Sequence, residues 1–63
     1  MTEYTAELVT DRHGDTLYYA VNRGDRLVGL VYATGAWHIF GERSGTAESV
    51  GAGVLAMREF FGD

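Results

Sequence analysis

A chain of 63 residues allows one domain, and folding at this size buries only about 60% of the surface that the unfolded chain exposes. It has no cysteine, which excludes disulfides and thiolate metal sites, and its two histidines are isolated, so neither a structural metal nor a cofactor is expected. Nine acidic against five basic side chains give a formal charge of -4, which repels phosphate backbones and anionic lipid surfaces and disfavours nucleic acid as a partner.

Without a basic start and a following apolar segment, and without an uninterrupted apolar run of ~18 residues, neither a signal peptide nor a membrane span is expected; a cytoplasmic location follows as the default. A hydrophobic fraction of 46% with eight aromatic residues is that of a folding chain rather than a disordered one. All five basic side chains are arginine, and glycine and alanine are abundant, a composition that fits a high-GC bacterial genome or its phage.

The first element is EYTAELVT, in which Tyr4, Ala6 and Leu8 alternate with Thr5, Glu7 and Val9 at the period of a half-buried strand. DTLYYAVN follows as a second strand, with Leu17, Tyr19 and Val21 on one face and Thr16, Tyr18 and Ala20 on the other. The triplet Arg23-Gly24-Asp25 then invites an adhesive reading. A hairpin loop of Asn22, Arg23 and Gly24, with glycine at the position of positive φ, explains it without one. RLVGLVYA forms a third strand, with Leu27 and Val31 on one face and Val28, Leu30 and Tyr32 on the other. AWHIF reads as a short fourth strand at the sheet edge, and GERSG ends the strand pattern.

From Thr46 the period changes. Thr46 as N-cap, Glu48 in the first turn and Ala47, Val50, Val54, Met57 and Phe61 at helical spacing predict a helix over 47–61. Leu55 and Phe60 fall outside that stripe. Gly51 and Gly53 lie inside the helix, where each costs about 0.5–1 kcal/mol relative to alanine and permits close backbone approach to the sheet or to a partner helix. GAGVLA, from Gly51 to Ala56, also satisfies the G-x-G-x-x-A pattern of dinucleotide-binding turns, but it lies within a helix, and the 12 residues after Gly51 provide neither a second parallel strand nor a distant acidic residue.

The polar residues give no catalytic constellation. His13 lies in a turn beside Arg12, and His38 alternates with Trp37 on a short strand. Glu42, Arg43 and Ser44 share a loop with no base placed to activate the serine, and Asp11 and Asp15 flank a turn. No catalytic residue is assigned, and no enzymatic activity is expected.

These elements predict an α+β domain spanning residues 1–63: an antiparallel β-meander of three to four strands with one C-terminal α-helix packed on one face, ββββα. Strands two and three are apolar on both faces, and one helix covers one face, so the other needs a neighbour. The expected partner is a second copy, giving a dimer, or a second protein. The residues expected at the interface are Tyr18, Val28, Leu30, Tyr32 and Trp37 from the sheet and Leu55 and Phe60 from the helix.

The short strands, the GTAES segment (Gly45–Ser49) and the amphipathic helix resemble HicB-type antitoxin domains in element order. That resemblance implies an inhibitor or antitoxin-like regulatory role. The expected function is a small, acidic, self-associating interaction module. The alternative is a nucleic-acid-binding sheet on which Tyr18, Tyr32 and Trp37 stack bases while Arg12, Arg23, Arg26 and Arg43 meet phosphates.

Overall fold

Glycine-centred turns divide the chain into the expected short strands, each pairing with the next. The computed structural model describes residues 2–62. In it, β1 (Tyr4–Thr10), β2 (Thr16–Arg23), β3 (Arg26–Val31), β4 (Ala36–Ile39) and β5 (Ser44–Thr46) form one antiparallel sheet in sequential order, and α1 (Val50–Phe61) follows. The α+β meander with one C-terminal helix is the predicted architecture. The additional strand lies in GERSG: the chain turns at Phe40–Arg43, with Ile39 N–H donating to the Arg43 carbonyl at 2.7 Å, and β5 then pairs along β4. AWHIF is therefore an inner strand, and the far edge belongs to three residues.

The Arg-Gly-Asp triplet closes the β2–β3 hairpin in a two-residue turn rather than the three-residue loop of Asn22, Arg23 and Gly24 read from the sequence. Arg23 pairs with Arg26, leaving Gly24 and Asp25 as a two-residue turn. Gly24 has φ +66 and Asp25 does not have positive φ, the pattern of a II′ turn with glycine at its first central position. The Gly24 N–H also donates to the Glu3 carbonyl at 2.7 Å, which ties the turn into the first hairpin.

A β-bulge decides which apolar residues of β3 enter the core. Val21 pairs with Gly29 and Asn22 with Leu27, so Val28 is the extra residue on β3. Strict alternation places Leu27 with Val31 and Val28 with Leu30; the bulge exchanges them. Val28 joins Val21, Val31, Ile39 and Met57 in the buried cluster, and Leu27 lies exposed on the opposite face.

The helix starts later than predicted. Its N-cap is Ser49, whose Oγ accepts from the Ala52 N–H at 3.1 Å, while Thr46 ends β5 and Glu48 precedes the first turn. The stripe Val50, Val54, Met57 and Phe61 does face the sheet. Near the start of α1 Gly53 is buried against β3: a Cβ built there would stand 2.8 Å from Val31 Cγ1. Farther along, Met57 fills the space above Gly29, and Phe61 reaches Tyr4, with ring centroids 6.3 Å apart. α1 thus runs obliquely from β3 and β4 toward the start of β1. It leaves the far end of the first hairpin, with Leu8 and Leu17, exposed.

Candidate interaction surface

The sheet face opposite α1 is assembled by register. Leu30 pairs with Ala20 on one side and His38 on the other, which aligns Tyr18, Leu30, Tyr32 and His38 on that face. The bulge adds Leu27, and Phe40 follows His38, their rings 5.8 Å apart in an edge arrangement. Tyr18 and Tyr32 meet edge to face at 6.5 Å. The result is an apolar and aromatic patch in which Leu27 is 52%, Tyr32 46% and Phe40 44% exposed.

Of the residues expected to be uncovered, Tyr18, Leu30 and Tyr32 lie together on this face. Val28 and Trp37 do not. Val28 is carried into the core by the bulge. Trp37 pairs with Val31 on the helix side and packs against the buried cluster; a Cβ built at Gly45, opposite it on β5, would stand 2.6 Å from its ring. Its indole N–H is buried and makes no hydrogen bond among the described residues. Leu55 and Phe60 are exposed on α1, on the other side of the sheet, so they belong to a separate surface. The sequence reading missed Leu27 because a bulge has no period-two signature; alternation within AWHIF does set Phe40 beside His38 and opposite Trp37, but the Trp37 side was expected to be the uncovered one.

The aromatic and arginine set imagined for nucleic acid is not brought together. Trp37 lies on the helix side, away from Tyr18 and Tyr32. Arg23 donates from Nε to the Tyr4 hydroxyl at 3.0 Å and lies over the Phe61 ring, and Arg43 lies 5.2 Å from the centre of the Phe60 ring. The chemistry-bearing residues are similarly dispersed. Asp11 caps its own turn, accepting from the backbone N–H of His13 at 2.8 Å and of Asp15 at 3.0 Å. Among the described residues no three His, Asp or Glu side chains cluster closely enough to hold a metal ion.

A groove of about 670 Å³ opens beside the start of β1, between Thr2–Tyr4 and the flank of α1 formed by Gly51, Val54, Leu55 and Arg58. A smaller depression of about 240 Å³ lies at the β2–β3 turn end, between Arg23, Arg26, Phe40 and Phe61. Among the described residues no helix is long and apolar enough to cross a membrane. Comparison with known proteins finds no family model, no curated protein and no solved structure that matches the chain.

Proposed function

We propose that the chain is a small cytoplasmic interaction module that acts by binding rather than catalysis, and that it self-associates through the sheet face opposite α1. The carrying observation is that face: Tyr18, Leu27, Leu30, Tyr32 and Phe40 stand together on the one side of the sheet that no helix covers. Burying a large apolar side chain is worth about 1.5–3 kcal/mol, so a self-complementary contact over this patch offsets the cost of association and supports a chain whose core, among the described residues, holds five buried apolar side chains. A regulatory, inhibitor-like role in a bacterium or phage accords with the size, the acidity and the lack of a convergent polar site.

Light scattering over a concentration series tests this reading. A mass of at least twice 6.9 kDa is expected. A monomer at ~1 mM, where even a contact of ~4 kcal/mol is populated, overturns it. A gel shift at ~50 mM salt, where phosphate contacts are strongest, is expected to show no binding; tight, salt-sensitive binding favours the nucleic-acid alternative.

A further inference from the structure

The first strand presents a second kind of surface, distinct from the sheet face. β1 has seven residues, and among the described residues β2 is the strand that pairs with it, so the outward backbone groups at Ala6 and Leu8 have no strand beside them, whereas the opposite edge is the three-residue β5. Natural sheets protect such edges with charged side chains, lysine above all, with proline, a bulge or a covering element, and the charge β1 carries is Glu7. β1 contains neither lysine nor proline, and the extra residue of its irregular pairing, Leu17, lies on β2. The Glu3 carbonyl accepts from Gly24, so Glu3, Thr5 and Glu7 turn their backbone groups toward β2, and Ala6 and Leu8 turn theirs outward. An extended strand is the partner this chemistry selects.

The side chains identify which strand. Leu8 is 51% exposed on the helix side, at the end of the hairpin that α1 does not reach, and Leu55, 53% exposed, lines the groove beside Tyr4 at the other end. A two-fold axis at Ala6 brings these ends together. It pairs Ala6 with Ala6, Tyr4 with Leu8 and Thr5 with Glu7, and it seats Leu8 of each copy at the Val54–Leu55 groove of the other. The Leu8 seat fixes this register, and charge excludes the adjacent one. Shifting the axis by one residue places the two Glu7 carboxylates directly opposite each other, whereas at Ala6 each Glu7 faces a threonine.

We propose that two copies of this chain pair antiparallel through β1, Ala6 to Ala6, forming a continuous ten-stranded sheet in which Leu8 of each copy enters the groove between β1 and α1 of the other. Both helices then lie on one side, and the two open sheet faces merge into a single platform. This contact is independent of association through the open face, and different residues report on each.

The test combines solution mass with amide hydrogen exchange on the whole chain. The outward amides of Ala6 and Leu8 are expected to gain protection as protein concentration rises, and Ala6→Pro, which removes an outward N–H and no bond within the chain, is expected to halve the mass. Leu8→Glu, at an exposed position, is expected to do the same and serves if the proline variant does not fold. Fast exchange at Ala6 and Leu8 at every concentration, or a wild-type mass in folded Ala6→Pro or Leu8→Glu, overturns the edge pairing. Loss of association in Tyr32→Lys alone, with Leu8→Glu unchanged in mass, leaves the sheet-face reading standing and overturns this one; a wild-type monomer overturns both.

Discussion

The guanidinium carbon of Arg23 stands 5.0 Å from the centre of the Phe61 ring, so the arginine of the Arg-Gly-Asp triplet is engaged with the C-terminal turn of the helix. With Nε donating to Tyr4, it joins the first strand, the β2–β3 hairpin and α1 at one corner of the molecule.

That corner makes Arg23 a structural residue. Arg23→Ala is expected to lower unfolding free energy by about 1–2 kcal/mol, combining a cation–π contact with a charge-assisted hydrogen bond discounted for partial exposure. Arg23→Lys should recover only part of this, because an ammonium does not stack as a planar guanidinium does. Urea unfolding measures both; wild-type stability in Arg23→Ala contradicts the role.

The two glycines inside α1 should respond in opposite directions to alanine. At Gly51 a Cβ meets only Ser49 Oγ at 4.0 Å, so Gly51→Ala is expected to stabilise by about 0.5–1 kcal/mol through helix propensity. Gly53→Ala carries the same propensity gain but drives a methyl into Val31, and overpacking of this kind costs about 1–3 kcal/mol. Thermal melts of the pair give the sign, and a stabilised Gly53→Ala contradicts the close packing of α1 on β3.

Helix capping separates the predicted start of α1 from the observed one. Ser49→Ala is expected to cost about 1 kcal/mol, since it removes the acceptor for the Ala52 N–H. Thr46→Ala, at the exposed end of the edge strand, is expected to stay within about 0.5 kcal/mol of wild type. The reverse order in denaturant unfolding would move the cap to Thr46.

On the open face, Tyr32→Lys and Leu30→Lys are expected to lower the mass in solution while circular dichroism retains the strand and helix signature. Phe60→Asp, on the helix side, is expected to leave that mass unchanged. An effect of Phe60→Asp alone would transfer the interface from the sheet to α1.

Much of the architecture was legible in the amino-acid order. Period-two alternation marks β1, β2 and β4, and the 3.6-residue stripe Val50, Val54, Met57 and Phe61 marks the buried side of α1, because these patterns record only which way successive side chains point. Glycine marked the hairpin turn at Gly24 because positive φ strains every residue with a Cβ. What the order of residues did not contain is set by contacts between distant segments. The bulge exchanging Leu27 and Val28 arises in the pairing of β3 with β2, β5 pairs along β4 with Gly45 lying against the Trp37 ring, and Ser49 rather than Thr46 caps α1 because the chain first completes a strand against β4. Side-chain periodicity is a property of one segment, whereas register, bulges and close packing belong to pairs of segments, and the composition of the open face was decided there.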